Sequence, residues 1–274
     1  MMRAEILPAW NGIVARLMGI LRKWLAGREA IEISEEDGLR QLHIGGRAIQ
    51  SAIRLDAPDT LALDYVQAMM AFLLFCPRPR EVLMLGLGGG SMARFIRQRM
   101  SRTRVTVAEI NPGVLTVARK FFHFPEDDAR LKVLIGDGAE VVPRYRANLD
   151  VLVVDGFVNG APAKSLCTQA FYDAAFAALR EGGVLVANFM ADDKRLERHG
   201  ERIEKSFGRA PVMLLAEEKD NLIAFVQRGG PPRIAWSELK ARAREAKALY
   251  GLELEKSFAS LRRRNPHTAR FLTL

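Results

Sequence analysis

Three carboxylates stand out because each closes an apolar run. Glu109 follows Val105 to Ala108, Asp155 follows Asp150 to Val154, and Asp137 follows Leu131 to Ile135 with Gly136 between. Short apolar runs bounded by turn residues read as buried strands. In an open parallel sheet, ligands bind beyond the carboxyl ends of the strands. Three acids gathered there could accept hydrogen bonds from hydroxyls and amines, or take up a proton. A fourth run, Val82 to Leu85, opens into Gly86-Leu87-Gly88-Gly89-Gly90-Ser91, after which Met92, Phe95 and Ile96 recur at helical spacing. Glycines let backbone N–H groups approach a ligand closely, and a helix start adds partial positive charge. Glu109 lies about twenty residues beyond that turn, where an acid can accept from ribose hydroxyls. A purine nucleoside fits the whole arrangement. Glu109 would hold the ribose, Asp137 the exocyclic amine of adenine, and Asp155 would lie nearest the reacting atoms. Each acid taken alone also fits a helix N-cap or a turn, and the glycines alone fit a tight connection that binds nothing.

These residues need an α/β scaffold. From Val82 onward, strand and helix patterns alternate. Asn111-Pro112 supplies an N-cap and a first-turn proline for a helix through Lys120. Helices are expected over Thr168 to Leu179 and Lys194 to Phe207, with strands over Val184 to Phe189 and Leu222 to Val226. This alternation predicts a doubly wound, mostly parallel sheet covered on both faces. Ahead of it, residues 28–57 read as a small antiparallel β extension, with Asp37-Gly38 and Gly45-Gly46 as its turns. Residues 58–230 then form the nucleoside-binding domain. A helix is expected to start at Pro58-Asp59, with Leu61, Tyr65, Met69, Phe72 and Leu73 on its apolar stripe. Pro231-Pro232 marks the start of a helical tail over 231–274. At the other end, residues 1–27 read as an amphipathic basic helix. Its apolar face would include Trp10, Leu17, Leu21 and Trp24, and Arg16 interrupts what would otherwise resemble a secretory signal. Such a helix suits a membrane surface or a partner.

Composition narrows the classes. The 274 residues are 49% hydrophobic, enough for a sizeable core, and the formal net charge is +9. Much of that excess lies near the ends, so nucleic acid is not the expected partner. The two cysteines, Cys76 and Cys167, have no metal or redox spacing and suit a reducing, cytoplasmic compartment. The four histidines are scattered, and no metal site is expected.

Between Glu29 and Gln227 the chain resembles the polyamine aminopropyltransferases, the spermidine synthases, within the class I methyltransferase-like folds. The resemblance rests on Ile44-Gly45-Gly46-Arg47-Ala48-Ile49-Gln50, Val82 through Ser91, Ala108-Glu109-Ile110 and Gly136-Asp137-Gly138. It continues through Asp155, Pro162-Ala163, Ser165-Leu166, Phe171-Tyr172 and Gly182-Gly183-Val184-Leu185. It implies transfer of an aminopropyl group from decarboxylated S-adenosylmethionine to an amine. It further implies that Gln50, Gly86, Gly88, Gly90, Glu109, Asp137 and Gly138 contact the donor, that Asp155 serves as base, and that the protein is a homo-oligomer. Tyr65 and Gln67 lie near the family's substrate-contacting Tyr-Gln pair, with altered spacing.

Two positions depart from the family. Gly89 stands where the family has an aspartate that grips the donor amine, and Val158 stands where it has a second aspartate; Asn188 replaces a frequent glutamine. An acid at position 89 would repel the carboxylate of intact S-adenosylmethionine. With glycine there, relaxed or switched donor choice is expected, so the donor is S-adenosylmethionine or its decarboxylated form. A methyltransferase remains a second reading, although its usual acid two residues before the first glycine is Met84 here. A non-catalytic nucleoside-binding homologue is a third, and a dinucleotide oxidoreductase a distant fourth.

Overall fold

The apolar runs fold as strands of one seven-stranded sheet. In chain order these are β4 (Glu81–Leu85), β5 (Arg104–Glu109), β6 (Leu131–Ile135), β7 (Leu149–Val154), β10 (Leu179–Met190), β11 (Val212–Leu215) and β12 (Asn221–Gln227). Their spatial order is β11-β12-β10-β7-β4-β5-β6. Pairings from β10 through β6 are parallel, whereas β12 runs antiparallel to both of its neighbours. This computed structural model describes residues 30–158, 161–218 and 220–274. The amphipathic helix expected over 1–27 lies outside the described residues. Ile31–Leu274 form one compact unit.

Period-two alternation within the strands builds a core on each face. Val82, Met84, Val105, Val107, Val151 and Val153 point to one side. Leu83, Leu85, Ala108, Leu152 and Val154 point to the other. The first side is covered by α2 (Ser91–Arg99), α3 (Pro112–Phe121) and α7 (Trp236–Tyr250), the second by α5 (Gln169–Ala178) and α6 (Leu196–Phe207). Continuous apolar runs are what strands buried on both faces require. The C-terminal segment joins the first core through Trp236, Leu239, Ala243 and Ala246. It also occupies the outer edge of β11, where Met213 N donates to Asn265 Oδ1 at 2.6 Å and Asn265 Nδ2 donates back to Met213 O at 2.8 Å.

Ahead of the sheet, β1 (Ile31–Glu36), β2 (Leu39–Ile44) and β3 (Ile49–Arg54) form an antiparallel three-stranded sheet. Asp37 and Gly38 both take positive φ, 50° and 75°, the primed turn that suits a two-residue hairpin loop. Leu42 and Ile53 bury against Phe122, just past the end of α3, and so tie this small sheet to the large one.

Two expectations need correction. The helix expected from Pro58-Asp59 begins at Asp64: α1 covers Asp64–Met69 and tightens into a 3-10 turn over Met70–Leu74. Thr60 N and Oγ1 both bond to Ala57 O, which closes a local turn that competes with helix initiation. The strand expected over Val184 to Phe189 starts earlier, at Leu179, with a register shift between Leu179 and Val184. Among the described residues, no helix is long and apolar enough to cross a membrane.

Candidate active site

The chain leaves β4 for β5 and β6 on one side, then crosses to β7 on the other side of β4. A reversal of this kind opens a crevice at the carboxyl ends of the two central strands. Leu85-Gly86 and Val154-Asp155 occupy that point. Asp155 N donates to Leu85 O at 2.9 Å. Gly86 has φ 99°, and a Cβ there would lie 2.3 Å from the Asp155 carbonyl oxygen. Only glycine lets the two strand ends approach this closely.

The turn is held from one side by Glu109 at the end of β5. Its Oε2 accepts from Leu87 N at 2.9 Å and its Oε1 from Asn111 N at 2.8 Å. Burial raises this carboxyl, and the backbone N–H groups offset only part of that rise. Two acceptor positions remain on its oxygens for ligand hydroxyls. From the other side β3 rests on the turn: a methyl group at Gly88 would lie 3.4 Å from Ser51 Cβ and 3.7 Å from Gln50 O. Gln50 O also accepts from the Tyr65 hydroxyl at 2.9 Å. Burial pushes the Tyr65 hydroxyl well up, and the nearby Asp155 and Asp64 add to that rise.

Asp137 caps α4 (Gly138–Val141), with Oδ1 accepting from Ala139 N at 2.9 Å and from Ser165 Oγ at 3.3 Å. Asp137 thus caps the helix through Oδ1, while its Oδ2 carries neither of these bonds. Gly138 is buried against Leu85. Ile110 and Ile135, directly beyond the ends of β5 and at the end of β6, are 64% and 50% exposed. Large apolar side chains that open to solvent beside Glu109 and Asp137 are suited to cover the faces of a flat ring. Sequence reasoning did not assign them a role, although each adjoins an acid-bearing strand end.

Burial pushes the Asp155 carboxyl up to about 7, against the lowering effect of a 2.8 Å hydrogen bond from Asn188 Nδ2. The parallel register that pairs Ala187 with Val154 carries Asn188 alongside Asp155.

The structure therefore brings Gln50, Tyr65, Gly86, Gly88, Gly90, Glu109, Asp137, Gly138 and Asp155 to one end of the sheet. Gln67 departs from this set. Its amide donates to Leu61 O at 2.9 Å, and it lines a separate groove of about 230 Å³ with Leu214, Leu254 and Arg263. An α-helical residue two positions from Tyr65 faces a different side. Gly89 is tightly packed. A Cβ there would meet Ser51 Oγ at 2.8 Å and Phe122 Cδ1 at 2.9 Å, so the missing side chain leaves no void on that side.

Comparison with known proteins agrees with this geometry. The Spermine/spermidine synthase domain matches residues 64–203. A polyamine aminopropyltransferase of Chromobacterium violaceum is 37% identical over 244 residues, covering 89% of this chain and 94% of the relative. One from Neisseria meningitidis is 35% identical over 255 residues, covering 93% and 97%. In three dimensions the chain resembles a spermidine synthase in complex with the transition-state analogue AdoDATO (TM-score 0.69, 22% identity, 86% and 82% of the two chains). It also resembles human methyltransferase-like protein 13 in complex with SAH (TM-score 0.60, 25% identity, 76% and 96%). The fold is thus the methyltransferase-like one. With so much of its length matched at this identity, the chain belongs to the spermine/spermidine synthase family.

Proposed function

We propose that this protein is an aminopropyltransferase of polyamine biosynthesis, moving an aminopropyl group from a sulfonium nucleoside to a small amine. The observation that carries the chemistry is Asp155: a carboxyl at the switch point of the sheet, raised to about 7 by burial. The acceptor amine must arrive with a free lone pair. That lone pair attacks the carbon next to sulfur, the carbon–sulfur bond breaks, and its electrons neutralise the sulfonium to give methylthioadenosine. The new bond leaves a surplus proton on nitrogen, and Asp155 accepts it. A base whose pKa lies near the working pH is well matched to this task. Glu109, Asp137 and the glycine turn hold the nucleoside, with Ile110 and Ile135 against its ring. Gln50 joins the donor contacts, and Tyr65, bonded to Gln50 O, flanks the acceptor side. Most of the rate gain is then positional, since a held amine and sulfonium replace a bimolecular encounter.

The decarboxylated donor is the one its relatives' names support. One observation favours a second reading, in which intact S-adenosylmethionine also enters. No carboxylate occupies position 89 to repel it. A homo-oligomer acting in the cytoplasm completes the proposal, on family likeness. The test is to incubate the purified full chain with each donor and a diamine, then identify the nucleoside released. Methylthioadenosine from the decarboxylated donor is expected. Release of S-adenosylhomocysteine instead would make the protein a methyltransferase, and no turnover with any common polyamine would make it a nucleoside-binding homologue.

A further inference from the structure

A side-chain amide has two ends of opposite character, and which end faces a carboxylate decides the sign of its effect. The N–H end stabilises the ionised form; the carbonyl end favours the protonated one. Asn188, on β10, is 4% exposed and presents its Nδ2 to Asp155 Oδ1 at 2.8 Å. Nothing in Asn188 itself imposes that choice.

The antiparallel partner β12 supplies it. Asn188 pairs with Ile223, so Asn221 is its diagonal neighbour on the same face of the sheet. Asn221 Nδ2 donates to Asn188 Oδ1 at 3.0 Å. A half-turn of the Asn188 amide would put N–H against N–H at one end and carbonyl against carboxylate at the other. The end of β12 that carries Asn221 is itself anchored. Asp220 O accepts from Ala191 N at 2.7 Å, and Glu218 N donates to Asp64 Oδ2 at 2.7 Å, tying the turn before β12 to α1.

We propose that Asn221 is a positioning residue for the proton acceptor, fixing the Asn188 amide so that its N–H faces the Asp155 carboxylate. This rests on the reading of Asp155 as the base. The other ionisable groups around this chain of three are Tyr65 and Asp64 on α1, with Glu218 and Asp220 on the turn before β12. All of them are neutral or negative, and Asp64 and Asp220 raise Glu218. Among the described residues, Asn188 is the side chain that bonds to the Asp155 carboxylate, so its orientation governs the ionised form.

Removing the Asn221 amide should free Asn188 to turn. The acid limb of the kcat/KM profile should then move to higher pH by on the order of one unit, the worth of one hydrogen bond to a charged group. At pH values below the limb the rate should fall about tenfold, while the alkaline plateau and donor binding stay as in the parent.

The experiment is a pH–rate profile of the full chain carrying Asn221→Ala, alongside Asn188→Leu, the double variant and Asn221→Gln. Donor affinity is measured calorimetrically in each. Asn221→Ala should shift the limb upward, Asn188→Leu should shift it at least as far, and Asn221→Gln should restore it in part. In the double variant the shift should equal that of Asn188→Leu alone, because no amide is left to orient. An unmoved limb in Asn221→Ala, or fully additive shifts in the double variant, would overturn the proposal. If Asn221→Ala does not fold, an unmoved limb in Asn188→Leu overturns it equally. A parent protein without turnover would instead refute the underlying assignment of Asp155, so the two failures are distinct.

Discussion

Replacing Asp155 by asparagine should cost activity and add stability, and the stability gain should depend on pH in a defined direction. An ordinary aspartate titrates near 3.8, whereas burial pushes Asp155 up to about 7. The folded state therefore prefers the protonated carboxyl. Stability from this preference is fully present below the unfolded value and is lost as pH rises through the folded one. Roughly three pH units at about 1.4 kcal/mol each give a cost of ~4 kcal/mol for holding Asp155 ionised above pH 8. Asparagine has nearly the same shape, can still accept from Asn188, and carries no charge to bury. Relative to the parent, Asp155→Asn should thus gain up to ~4 kcal/mol at pH 8 and almost nothing near pH 4. The same change removes the proton acceptor, and turnover should fall by about 10²–10⁴-fold, the usual worth of a general base. Denaturant titrations at the two pH values read the first effect, and release of methylthioadenosine reads the second. A stability difference that does not change with pH would refute the claim that Asp155 is held against its own charge. Full turnover in the variant would refute its role as base.

Further expectations follow from neighbouring contacts. Gly86→Ala combines a left-handed φ with a Cβ 2.3 Å from the Asp155 carbonyl oxygen. Conformational strain and overpacking together should cost about 3–5 kcal/mol, seen as a lowered denaturation midpoint. Glu109→Gln keeps the shape but turns an N–H toward either Leu87 N or Asn111 N. It should lose ~1.5–3 kcal/mol of stability and weaken nucleoside binding in calorimetry. Gly89→Asp should not restore a grip on the donor amine, because the new Cβ meets Ser51 Oγ and Phe122. It should destabilise by about 1–3 kcal/mol, and Ser51→Ala in the same chain should recover part of that loss.

How much of this was legible in the sequence follows from where the signals are stored. The ends of the inner strands β5 and β7, which bear Glu109 and Asp155, could be read directly, because strands buried on both faces leave mostly apolar runs that a polar residue must close, while the edge strand β6 carries the exposed Lys132 and was marked by Gly136-Asp137-Gly138 at its end. The Asn111-Pro112 helix start was equally plain, since Asn111 Oδ1 accepts from Gly113 N at 2.9 Å, a contact within one turn. What stayed hidden depends on partners far along the chain. The strand pair β13 (Arg233–Ala235) and β14 (Phe271–Thr273) joins segments of three residues each across nearly forty positions, with no local pattern to announce it. Arg94, on α2, is 2% exposed. Its guanidinium donates to Phe122 O at 2.6 Å and to Pro58 O, carbonyls that no periodicity could have placed beside it.

The same distinction divides the site. The strand-end acids Glu109, Asp137 and Asp155 could be placed from spacing alone. Residues that act through another residue could not, because their role is set by register. Gln67 shows the converse case: it lies close to Tyr65 in sequence, but the helix turns it toward Leu61 O and a separate groove. Asn221 carries no composition signal at all. Its contact with Asn188 exists only because β12 runs antiparallel to β10 and pairs Ile223 with Asn188. A one-residue slip of that pairing would move Asn221 to the opposite face and leave the Asn188 amide free to present either end to Asp155. The hydrogen bonding of the Asp155 carboxyl is therefore tied to the antiparallel pairing of β10 with β12. The acid was visible in the sequence; the orientation of its hydrogen-bond partner became visible only with the sheet assembled.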